Sequence, residues 1–120
     1  MTTEIETLPM TSERSSISSD PERQRIAAIC RALADPKRLC VLEVLAGGER
    51  SVSDLSREAS CHVPNMSQHL AVLRAAGLVM GRRTGSTVLY RLADDRVREL
   101  TELLGTLAGS RGSFTLSGKD

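Results

Sequence analysis

Asn65, Ser67, Gln68 and His69 crowd short polar side chains into two turns of a run whose apolar residues keep helical spacing. Asn and Gln can bond an adenine edge bidentately, and Ser or His can reach a base or a phosphate. Arg74, Arg82 and Arg83 add positive charge nearby, and Thr84 and Ser86 add hydroxyl donors. Contacts of that kind position a protein on a nucleic-acid backbone without reading sequence. Gln68 is therefore expected to set sequence preference, and Arg82 and Arg83 to strengthen binding to all sequences alike. A second chemistry is open to Cys30, Cys40, Cys61 and His62. Cys61 and His62 are adjacent at the start of a helix, where the dipole favours a thiolate. A two- or three-coordinate site joining Cys30 and Cys61, assisted by His62 or Cys40, suits mercury or trivalent arsenic, and the same thiols could instead form a redox switch. Each cysteine also has a plainer reading as a small buried hydrophobe. Enzymatic use is not expected, because neighbouring Cys61 and His62 on a tight turn have no third group to orient them.

The elements that must position these residues follow from apolar spacing and punctuation. Asp20 as the N-cap acid, Pro21 at the first helical position and Glu22 in the first turn open a first helix whose Ile26, Ile29, Cys30 and Leu33 form one stripe expected to be buried, ending near Ala34. Asp35 and Pro36 repeat the start signal for a second helix to about Ala46, with Leu39, Leu42, Val44 and Leu45 inward and Gly47 and Gly48 ending it. A short third helix runs from Ser53 to about Ala59, capped by Ser51 or Ser53, and a turn at Ser60, Cys61 and His62 follows. The fourth helix, Val63 to Ala76, turns Met66, Leu70 and Leu73 inward with Val72 beside them. Two extended runs, Leu78 to Arg82 and Thr87 to Leu92, flank the connection Arg83-Thr84-Gly85-Ser86. A last helix from Asp94 to Leu107 aligns Val97, Leu100, Leu103, Leu104 and Leu107.

The expected fold is mainly α with a small β-hairpin wing, a winged helix-turn-helix. Residues 20–108 would form one DNA-binding domain, with mobile tails at 1–19 and 109–120, the latter rich in Gly and Ser. A chain of 120 residues with Tyr90 and Phe114 as its aromatics has room for one aliphatic core. The net charge of +1 does not announce nucleic-acid binding, so the arginines must act locally. Absence of a signal-like start or a long apolar run leads us to expect a cytoplasmic protein with no membrane partner. An odd count of three cysteines argues against a disulfide framework.

The stretches LADPKRLCVLEVL, GERSVSDLS and MSQHLAVLRAAGLVMGRRTGSTVLYRL, in that order, closely resemble the ArsR/SmtB repressors. That resemblance implies a homodimer paired through its first and last helices, binding double-stranded operator DNA at an imperfect inverted repeat. No cofactor would be needed for DNA binding, and an inducer would release it. The family's known inducer sites are vacant here. Its thiolate pair before the helix-turn-helix falls on Ser51 and Ser53, and the cysteines of one cadmium and lead branch would fall on Val72 and Ala76. Of the persulfide-sensing pair, one position falls on Glu43, and the last helix that would hold the other has no Cys; nor does it carry the His that a zinc or nickel site needs. In the family pattern positions 61 and 62 are usually an aliphatic and a Ser or Thr cap, so Cys61 and His62 depart from it. A winged helix that binds protein rather than DNA is the alternative of another class.

Overall fold

The computed structural model describes Ile17 and residues 19–109, so the tails expected at 1–19 and 109–120 lie outside the described residues except for Ile17, Ser19 and Gly109. Among the described residues the order is α1 (Asp20–Leu33), α2 (Pro36–Leu45), β1 (Arg50–Ser51), α3 (Val52–Glu58), α4 (Val63–Ala75), β2 (Val79–Thr84), β3 (Thr87–Leu92) and α5 (Asp95–Leu107). The three strands form one antiparallel sheet in the order β1-β3-β2. The mainly α architecture with a hairpin wing is the expected one.

Helix starts follow local chemistry, with one correction. The cap of α1 is Ser19, not Asp20: its hydroxyl accepts the Glu22 amide while the Glu22 carboxylate accepts the Ser19 amide. That reciprocal box satisfies two orphan donors, which Asp20 alone would not. Asp35 caps α2 through the amides of Lys37 and Arg38, at 2.8 and 3.2 Å. Ser51 caps α3 through Asp54, and Asp94 caps α5 through Arg96.

Leu42, Leu55, Met66, Leu70, Leu73, Val41 and Val79 are the largest fully buried side chains, so α2, α3, α4 and the base of β2 share one core. Full burial of each such side chain stabilises by about 1.5–3 kcal/mol. Three inward assignments change. Val41 rather than Leu39 or Val44 is wholly buried in α2. Val72 is 41% exposed. The α1 stripe is only partly covered by this chain: Ala32 is buried and Ile29 and Leu33 pack half-buried against the core, while Ile26 is 52% exposed and Cys30 is exposed. Likewise α5 buries Val97 and Thr101 but leaves Leu103 and Leu107 exposed.

The wing also differs in detail. Arg83 and Thr84 extend β2, pairing with Val88 and Thr87, so the connection shrinks to Gly85 and Ser86. Gly85 at φ 62° takes the positive angle that the first position of such a two-residue turn requires. The strand β1 was not expected, being too short to show an alternating pattern; Arg50 and Ser51 pair with Tyr90 and Leu89.

Candidate nucleic-acid interface

The two short helices α3 and α4 are held at their turn by backbone geometry. Ser60 takes φ 52°, the Cys61 amide donates to the Ser56 carbonyl at 2.8 Å, and the Ser60 amide donates to Arg57 at 3.3 Å. This pair of bonds closes the end of α3 in a Schellman motif, with Ser where Gly usually stands. Lys37 of α2 adds an external clamp, donating its ammonium to the carbonyls of Ala59 and Ser60. A cation at a helix C-terminus also answers the local dipole. The turn is therefore fastened to α2 on one side and to α3 on the other.

On α4 the burial of Met66, Leu70 and Leu73 fixes which side faces out. At about 100° per residue, Gln68 lies opposite that stripe, while Asn65 and Ser67 flank it. All three are exposed, and their side chains make no hydrogen bond among the described residues. Ala71 and Ala75, also exposed, keep the same side low enough for close approach to a groove. His69 differs. It is half-buried, and its Nδ1 lies 3.4 Å from Nη1 of Arg38, so its ring packs toward α2 instead of standing out with Gln68.

Strand pleating separates the two wing arginines. Arg83 shares a face with Gly81 and the buried Val79, while Arg82 shares the opposite face with Met80 and Thr84. Arg82 donates Nε and Nη2 to Glu49, both at 2.9 Å, and Nη1 to Thr84 Oγ1 at 3.1 Å. The bidentate bond from Arg82 holds the Glu49 carboxyl below its ordinary range and raises the guanidinium's own pKa. Arg74 and Arg83 have no ion-pair partner among the described residues. Ser86 is exposed at the tip. Tyr90 packs across Gly81, where an added Cβ would come within 3.2 Å of the ring. Glu49 and Lys37 were not singled out in the sequence, because each acts through contacts distant along the chain.

The soft ligands sit apart in kind of environment. Cys30 is exposed on α1; Cys40 and Cys61 are half-buried against the core; His62 is exposed. His62 is the N-cap residue of α4 yet makes no side-chain cap bond. Among the described residues no three His, Cys, Asp or Glu side chains gather into a group that could hold a metal, so a three-coordinate form of the expected site is not assembled within one chain.

A reading helix fastened to a preceding helix, followed by a hairpin that projects arginines, defines a winged helix-turn-helix domain of the DNA-binding type. A helix-turn-helix domain family matches residues 33–82. The regulator KmtR of Mycobacterium tuberculosis is 45% identical over 75 residues, covering 62% of this chain, which spans 58% of that protein's length. A probable mercury resistance operon repressor from Streptomyces lividans is 37% identical over 87 residues, 72% of this chain and 70% of that protein. The solution structure of a homodimeric winged helix-turn-helix DNA-binding domain from Mycobacterium bovis, described as a possible ArsR-family regulator, superposes with TM-score 0.71. It is 28% identical, covering 88% of this chain and 100% of that one. The chain belongs to the ArsR/SmtB family of DNA-binding transcriptional regulators.

Proposed function

We propose that this chain is a homodimeric repressor that binds an inverted-repeat operator through α4 and the wing and is released by a thiophilic metal or metalloid. Residues 20–108 form its DNA-binding and dimerisation domain. The observation that carries the reading is the division of α4: Met66, Leu70 and Leu73 are buried, while Asn65, Ser67 and Gln68 stand exposed and without partners among the described residues. Short polar groups left unpaired on a rigid helix suit base edges in a major groove. Arg74, Arg83 and Ser86 would contact the flanking phosphates, while Arg82 and Thr84 flank that surface with the Arg82 charge taken by Glu49.

Dimerisation is supported by what the single chain leaves uncovered. Ile26, Leu103 and Leu107 are 52%, 65% and 82% exposed on α1 and α5. Two terminal helices with bare apolar sides fit a second copy, and the similar Mycobacterium bovis domain is described as homodimeric. Substituting Leu103 and Leu107 by Asp should yield a folded monomer with an unchanged far-UV spectrum and weak operator binding.

For the inducer, the similarity to the Streptomyces lividans mercury repressor favours a soft ion. Mercury is satisfied by two thiolates, so Cys30 and Cys61, or either with a second copy's thiol, suffice without a three-ligand group. The test is anisotropy of a labelled duplex selected from a random library by the protein, first across a salt series, then with mercury(II) and arsenite added to wild type, Cys30→Ser and Cys61→Ser. Selection of no duplex at low salt would sink the repressor reading and leave a protein-binding winged helix. Release by the same ion in both variants would sink the cysteine site, and release by peroxide alone would favour a redox switch.

A further inference from the structure

Arg38 and His69 join the corner between α1 and α2 to the reading helix. Arg38 stands in the first turn of α2 with its side chain only 16% exposed. Its guanidinium points three ways: Nε donates to the Ala32 carbonyl at 2.6 Å, Nη2 to the Arg31 carbonyl at 3.1 Å, and Nη1 to His69 Nδ1 at 3.4 Å. Asp35 Oδ2 lies 3.8 Å from the same Nη1. Ala32 and Arg31 belong to the last turn of α1, where carbonyls run short of helical amides; the Arg31 carbonyl also accepts the Ala34 amide at 3.2 Å. Burial pushes the Asp35 carboxyl up, but the amides of Arg38 and Lys37 and the charge of Arg38 outweigh it and hold the group below its ordinary range.

We propose that Arg38 and His69 are positioning residues that make the setting of α4 depend on the setting of α1. A guanidinium is planar, stays protonated and only donates, so its N–H groups act as fixed spokes. Because the group is largely buried, moving α4 away orphans one N–H, and moving the end of α1 away orphans the Ala32 carbonyl and costs the Arg31 carbonyl one of its two donors. The two helices are therefore held in register by one rigid side chain. The bond also assigns the imidazole: facing a donor, Nδ1 must offer its lone pair, so Nε2 carries the proton. Since α1 carries part of the apolar side that a second copy would cover, a change at that interface has a direct polar route to the reading helix. The inference rests on α4 being the DNA-reading helix.

The test compares His69→Leu, His69→Gln, Arg38→Lys and the double variant Arg38→Lys with His69→Leu. The probe is the duplex selected by the wild type; affinity is measured across a salt series, with melting temperature and oligomeric state in parallel. Gln keeps an acceptor in reach of Arg38, whereas Leu fills the space without one. His69→Leu should lose about ten-fold in affinity with its salt dependence unchanged, His69→Gln should stay within about two-fold, and the double variant should be no weaker than the weaker single, as for coupled residues. Nitrogen-15 spectra of the wild type should show the Nε2-protonated tautomer. Additive losses, failure of Gln to rescue, the opposite tautomer, or a salt slope reduced by about one in His69→Leu, as a lost phosphate contact would give, each overturn the inference. Should the wild type select no duplex at low salt, the reading role of α4 falls and this inference with it; wild-type binding with unaffected variants refutes the inference alone.

Discussion

Arg82 grips Glu49 with two parallel bonds of 2.9 Å, while its neighbour Arg83 lies on the other face of the sheet with no ion-pair partner among the described residues. The acid comes from the α2–β1 loop, so the grip ties the wing back to the body of the domain. Sequence alone treats the two arginines as equivalent, and pleating makes them unequal. Arg83→Ala should weaken binding to all duplexes and lower the salt slope by about one, whereas Arg82→Ala should do little to the slope. Glu49→Gln should free Arg82 and steepen it. Equal losses from both alanine variants, measured by anisotropy across salt, would refute the distinction.

The same pair predicts a pH dependence with a definite sign. Glu49 is held below its ordinary value, so it binds fewer protons in the folded than in the unfolded chain. Its contribution is fully present above the ordinary glutamate value of about 4.3 and is lost as pH falls through the lower folded value. The melting-temperature difference between wild type and Glu49→Gln should therefore be flat from about pH 5.5 to 8 and shrink only in acid. A difference that changes near neutrality would contradict the pairing.

Ser60 holds a left-handed conformation at φ 52° that costs a side chain and not a glycine. Ser60→Gly removes that cost without touching either Schellman bond, and should stabilise the domain by about 1 kcal/mol in urea unfolding. Destabilisation would mean that the hydroxyl or the restricted unfolded chain matters more.

His62 occupies the α4 cap position without capping, and Pro64 removes one of the amides a cap could serve. The Asn65 amide remains. His62→Ser should satisfy it and add about 1 kcal/mol, read in the same unfolding experiment. If His62 serves an inducer site, that gain in stability will come with a loss of metal-dependent release.

Much of this molecule is legible from local pattern. Pro36 after Asp35, Gly77 after α4, and Met66, Leu70 and Leu73 at helical spacing place the helices because each signal acts within a turn or two of chain. The capping box at Ser19 and Glu22 was equally readable; Asp20, beside Pro21, drew the start one residue late. The apolar stripe of α1 was read correctly as a stripe, but only Ile29 and Leu33 of it pack against the core while Ile26 and Cys30 stay exposed, because periodicity reports a sticky face and not what covers it.

What the sequence by itself determined is the order of elements, the family resemblance and the polar run on α4, all of them set by neighbours along the chain. Only the tertiary structure decided that His69 turns to Arg38, that Lys37 clamps the α3–α4 turn, and that Glu49 takes Arg82 while Arg83 stands alone. Each of those contacts joins residues more than 20 positions apart. No local spacing encodes them. They exist because a shared core, closed by Leu42, Leu55 and Leu70, fixes the distances between the elements that carry them.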